Sequence, residues 1–138
     1  MMPLHPAVLR DLLDLEVEVA RARLGSRAGD LHRADDALVM TLIRPDGSWT
    51  LQLDGYRYDA EPFGVALVDD EGQVLPIDRW IPGLVHSVHP VLQVPWACIS
   101  GTRGYYCYPG HHHDRWDAAR FQLRADSLLD TVLRKVGL

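Results

Sequence analysis

Apolar residues recur at helical spacing from about Pro6 to Leu24, where Leu9, Leu12, Leu13, Val17, Ala20 and Leu24 share one face. Pro6 suits the first helical turn, where its missing N–H has no partner to lose. Asp11 and Asp14 lie early and Arg21 and Arg23 late, the order the helix dipole favours, and Gly25 is a plausible stop. After a polar connection, Ser26 to Asp36, the period changes to that of strands. Leu38 to Arg44 and Ser48 to Leu53 flank the turn Pro45-Asp46-Gly47, and Asp54-Gly55 leads into Tyr56-Arg57-Tyr58. A third strand, Gly64 to Asp69, closes at Asp70-Glu71-Gly72.

The stretch Gln73 to Pro95 is proline-rich and reads as irregular, with Trp80 inside it and Trp96 just beyond. The pattern then predicts one long helix from about Asp114 to Val136. Asp114 is its N-cap, and Phe121, Ala125, Leu128, Leu129, Val132 and Val136 form its buried stripe. Helix, antiparallel strand meander, long irregular segment and C-terminal helix together predict a single α+β domain in layers.

Composition narrows the function classes. A 138-residue chain with 47% hydrophobic and 24% charged residues is long enough to bury a core without metals or disulfides as props. No apolar run reaches bilayer-spanning length, and the first residues lack the basic and apolar regions of a signal peptide, so a cytoplasmic protein with no membrane partner is expected. A net charge of −5, with arginines and acids interspersed, disfavours a nucleic-acid partner. Thirteen of the 14 basic residues are arginine, and Lys135 is the only lysine. A GC-rich genome accounts for that; a lysine-poor surface would also suit a protein carrying a reactive thioester.

Candidate chemistry concentrates between Cys98 and Trp116. A cysteine acts through its thiolate, so it needs partial exposure and an electropositive neighbour, which His86, His89 or Arg103 would supply. The alternative is a cysteine packed between Trp96 and Ile99. Zinc takes thiolate and imidazole ligands. Cys107 and His111 have three residues between them, and Cys98 and Cys107 have eight. With His113 these give a possible ligand set, against which stands an ordinary polar loop before a helix. Trp96, Tyr105, Tyr106, Tyr108 and Trp116 fall within 21 residues, either packing the loop or offering a binding surface. No P-loop, no Gly-x-Ser-x-Gly elbow and no His-Glu-x-x-His helix is present, and Glu16 and Glu18 fall among solvated helix positions.

The order of elements and several motifs resemble ubiquitin-conjugating enzymes. The family's Tyr-Pro-x-x-Pro-Pro-x-Val-x-Phe segment is similar to Tyr58-Asp59-Ala60-Glu61-Pro62-Phe63-Gly64-Val65-Ala66-Leu67. Its His-Pro-Asn motif, ahead of the catalytic cysteine, is similar to His89-Pro90-Val91, with Cys98 nine residues after His89. Val91 replaces the asparagine that in the family helps stabilise the oxyanion formed during amine attack. The resemblance implies a conjugating-enzyme-like fold in which Cys98, assisted by His89, accepts a ubiquitin-like modifier from its activating enzyme.

The chain also resembles a metal-binding family of bacterial ubiquitin-like pathways, in which a cysteine precedes a Gly-Thr-Arg-Glu-Tyr-His segment. Cys98, Gly101-Thr102-Arg103, Tyr105, His111 and Trp116 follow that pattern, while Gly104 and Tyr106 stand where glutamate and histidine are expected. That resemblance implies zinc, with Cys107 and His113 compensating, or a copy that has lost its metal. A third reading is a non-catalytic interaction domain on the same fold, with Cys98 buried and Trp96, Tyr105, Tyr106 and Trp116 meeting a partner.

Overall fold

A computed structural model describes residues 2–138. Helix α1 forms over Pro6–Leu24, with Pro6 at its start, and the His5 ring accepts a hydrogen bond from the Ala7 N–H. Gly25 ends it at φ 58°, a left-handed position that glycine occupies without cost. Leu9, Leu13, Val17, Ala20 and Leu24 are buried. Glu16, expected in solvent, is buried as well, only 6% exposed, because two partners described below meet it there.

Four antiparallel strands follow in the order β1 (His32–Ala34), β2 (Ala37–Arg44), β3 (Gly47–Asp54) and β4 (Gly64–Val68). Strand β1 lies inside the stretch expected to be a polar connection; only three residues long and largely exposed, it carries no apolar alternation to announce it. The β2–β3 hairpin closes with Arg44 opposite Gly47 around the Pro45-Asp46 turn. Leu38, Met40, Leu42, Leu51, Leu53 and Leu67 point to the buried side of the sheet.

Within the irregular stretch, Ile77–Arg79 makes a 3-10 turn and β5 (Ser87–Val88) pairs with β6 (Pro95–Trp96). The segment beyond Cys98 then departs from expectation. In place of one helix from Asp114 to Val136 there are α2 (Arg103–Cys107), α3 (Trp116–Ala119) and α4 (Ala125–Lys135). Asp114 is not a cap, because its carboxylate is engaged by Tyr105 and His111. Phe121, expected in the buried stripe, is 73% exposed, since the chain turns between α3 and α4 and takes it off the helix face. Ala125, Leu128, Leu129, Val132 and Val136 are buried as the periodicity requires, and α4 packs against α1. The result is a mixed α+β architecture, with an N-terminal helix, a four-stranded antiparallel sheet and a C-terminal helix.

A polar lock closes the core. The Tyr58 ring is fully buried and stacks on Phe63 at 3.8 Å, and its hydroxyl donates to Glu16 Oε1 at 2.5 Å. Arg124 bonds Glu16 at 3.1 Å and Asp59 at 2.8 Å, while Arg120 reaches the other Asp59 oxygen at 2.7 Å. The Trp116 indole N–H donates to the Asp59 carbonyl. Arg57 and Asp59 both hold positive φ, 61° and 66°, in the turn that this lock fixes.

Candidate functional site

The Cys98 segment is built on three close approaches. Gly101, at φ 93°, packs so tightly that a Cβ there would sit 2.9 Å from Leu123 Cβ and 3.0 Å from Leu128. At Gly104 a Cβ would meet the Trp96 ring at 2.8 Å. Between them Thr102 caps α2, accepting from the Tyr105 N–H and donating to the Ile99 carbonyl at 2.7 Å. The Arg103 N–H donates to the Phe63 carbonyl at 2.7 Å, which ties the start of α2 to the start of β4. Gly104, the position where the metal-binding pattern expects glutamate, therefore has no room for any side chain unless Trp96 moves.

His89 is fully buried, and both ring nitrogens are committed to backbone. Nε2 donates to the Gly104 carbonyl at 2.8 Å, while Nδ1 accepts the N–H groups of Val91 and Leu92, each at 3.0 Å. This arrangement fixes the tautomer and clamps the β5–β6 hairpin to α2. Neither nitrogen is free to take a proton from Cys98. The other two expected neighbours also point elsewhere. Arg103 pairs with Asp54 at 3.2 Å and with the Tyr56 carbonyl, and His86 lies against Trp96 with its Nδ1 on Ser87.

Cys98 is half-buried, between buried Ala97 and Ile99, and Cys107 is exposed at the end of α2; both are free thiols. Tyr105 is half-buried on α2. Its hydroxyl donates to Asp114 Oδ2 at 2.8 Å, and its ring stacks on His111 at 3.8 Å. His111 Nδ1 approaches the same Asp114 oxygen at 3.5 Å. The hydrogen bond to Asp114 holds the Tyr105 phenol above the usual tyrosine range, with slight burial, the Asp114 charge and nearby Tyr106 and Cys98 adding to the effect. Tyr105, Tyr106, His113, Asp114 and Ala119 line an open groove of about 460 Å³.

The four expected zinc ligands are not drawn together. Among the described residues no three His, Cys, Asp or Glu side chains come close enough to hold a metal ion. Cys107 is exposed, His111 is taken up by Tyr105 and Asp114, and the His113 ring lies tilted against His112 at 3.9 Å. As arranged, this donor set does not fit a zinc centre. Of the expected binding aromatics, Trp96 and Trp116 are core residues, only 3% and 7% exposed, with Trp96 stacked on Tyr108 at 5.4 Å. Tyr105 and Tyr106 keep partial exposure. Asp114 is the functional-site candidate that sequence reasoning assigned elsewhere; its spacing from Tyr105 carries no motif, and only the fold brings the two together.

Among the described residues no helix is long and apolar enough to cross a membrane. Compared with protein-family models and with curated proteins, the chain matches none of them.

Proposed function

We propose that the chain carries a ubiquitin-like modifier as a thioester on Cys98, received from a cognate activating enzyme. One observation carries this reading. Cys98 is a half-buried residue with a free thiol on a segment whose backbone is fixed on both sides, by the His89 clamp before it and by the Gly101–Gly104 packing after it. A thiol that must meet the activated end of another protein benefits from such preorganisation, because little chain entropy is lost when the two dock. In the transfer, the Cys98 sulfur attacks the modifier's C-terminal thioester carbonyl and loses its proton to solvent. The bond to the activating enzyme's cysteine breaks, and that sulfur leaves as thiolate. His89 serves here as a positioning residue. The zinc reading draws no comparable support from the arrangement of Cys98, Cys107, His111 and His113.

The test incubates the protein with ATP and each of several bacterial ubiquitin-like modifiers paired with its activating enzyme, followed by non-reducing gels and intact mass. The expected product is a dithiothreitol-sensitive adduct that disappears in Cys98→Ala and persists in Cys107→Ala. An adduct that survives Cys98→Ala, or none with any pair while Cys98 alkylates readily, overturns the proposal.

A further inference from the structure

Strand β4 is the last of the four-stranded sheet, and its outer edge is only partly covered. Along that edge the Phe63 carbonyl accepts the Arg103 N–H at 2.7 Å, and the Leu67 carbonyl accepts the Leu75 N–H at 2.9 Å. In an antiparallel strand, alternate residues turn both backbone groups to the same edge. Val65, midway between these two, therefore turns its N–H and C=O away from β3, and neither has a hydrogen-bond partner among the described residues. Strand β6 forms the opposite wall but belongs to a separate two-stranded sheet. Its Trp96 carbonyl, like that of Val94 just before it, is spent on the hairpin itself, on the His86 and His89 N–H groups, and Pro95 has no N–H to give.

A cavity of about 210 Å³ lies in this gap, lined by Val65, Ala66, Val74, Leu92, Val94 and Trp96. Apolar walls around a few unpaired polar groups are the usual build of a small-ligand site, the walls supplying burial and the polar groups fixing orientation. The polar pair specifies the ligand's edge. It must offer an acceptor to the Val65 N–H and, beside it, an N–H donor to the Val65 carbonyl. Lactams, primary carboxamides and aminoheterocycles present that pair along one edge, whereas a carboxylate would set oxygen against oxygen. The opening is one residue long, closed by the chain itself at Phe63 and Leu67, so it takes a single amide and not a strand. Its volume falls below the roughly 300–1,000 Å³ of drug-sized sites, which suits a ligand of about one ring. The charged groups at the rim, Arg103 and Asp54, pair with each other at 3.2 Å, so a neutral ligand fits best.

We propose that the cleft between β4 and β6 is a binding site for a small neutral ligand with an amide-type edge. The ligand bonds the Val65 N–H and C=O as a neighbouring strand would, and its apolar part packs among Ala66, Leu92, Val94 and Trp96. The proposal stands independently of Cys98.

The test titrates the nitrogen-15-labelled full chain with 2-pyridone, nicotinamide and adenine, each up to its solubility limit, and follows the amide spectrum. At least one probe is expected to shift the Val65 amide saturably. The analogue 1-methyl-2-pyridone, or N,N-dimethylnicotinamide or N6,N6-dimethyladenine for the other probes, keeps the acceptor but loses the donor, and is expected to bind about tenfold more weakly, the worth of one hydrogen bond. Ala66→Phe fills the cavity and is expected to abolish binding while the rest of the spectrum stays that of the folded chain. No saturable shift at Val65 with any probe overturns the proposal, as does equal binding of a probe and its methylated analogue. So does an Ala66→Phe variant that keeps the wild-type fold and binds equally; if that variant fails to fold, the methylated analogue decides.

Discussion

The molecule holds two tyrosine–carboxylate pairs of nearly the same chemistry in opposite surroundings. Tyr58 and Glu16 are buried in the core with half-buried Arg124 and Asp59 at its edge, whereas Tyr105 and Asp114 sit at the surface beside His111. In the sealed pair every polar atom must find its partner within the protein, and each does; no buried side-chain nitrogen or oxygen among the described residues is left unbonded. In the open pair water competes for each bond, so the pair contributes little to stability and is free to respond to a visitor. The same hydrogen bond is thus architecture in one place and a candidate for chemistry in the other.

The most damaging way to break this contrast is Arg124→Ala. It strips buried Glu16 of its cation and half-buried Asp59 of one of its two, and is expected to cost about 3 kcal/mol in urea unfolding. Tyr58→Phe comes next, costing about 1 kcal/mol at neutral pH for the lost hydrogen bond.

The Tyr58 variant also carries a pH signature. Burial and then the Glu16 charge push the Tyr58 phenol far above the usual tyrosine range. Its contribution is therefore fully present below the unfolded value near ~10 and is lost as pH rises beyond it, because only the unfolded chain gives up the proton. Above that pH the wild-type unfolding free energy should fall more steeply than that of Tyr58→Phe; parallel curves would refute the assignment. The smallest effect belongs to the open pair. Asp114→Asn should leave the melting midpoint unchanged while lowering the Tyr105 ionisation toward the ordinary range, as read by ultraviolet titration of the phenolate.

The contrast also explains what the sequence made legible. Helix α1, the β2–β3 hairpin and the buried stripe of α4 follow from periodicity because their residues answer to one local rule each, apolar toward the core and polar outward. Glu16 was misplaced because its burial is justified only by Tyr58 and Arg124, which lie 42 and 108 positions away in the chain. The break between α3 and α4 has no glycine or proline to mark it. Arg120 and Arg124 both reach Asp59 across it. At the candidate site the cysteines, histidines and aromatics were legible as residue types. Their roles were not, because His89 spends its nitrogens on backbone and Asp114 finds Tyr105 only after the loop has folded.

The first helix leans on the last, and the ion pair between Arg23 and Asp126 spans 103 positions. Closing so long a loop carries an entropic penalty that no local contact repays in advance. During synthesis α1 meets β1 and β2 first, and the part of its inner face that α4 covers stays open until α4 has been made and docks. A ribosome stalled ahead of Ala125 would therefore hold a nascent chain with an exposed apolar helix, a substrate for holding chaperones, and folding would finish as a single late step.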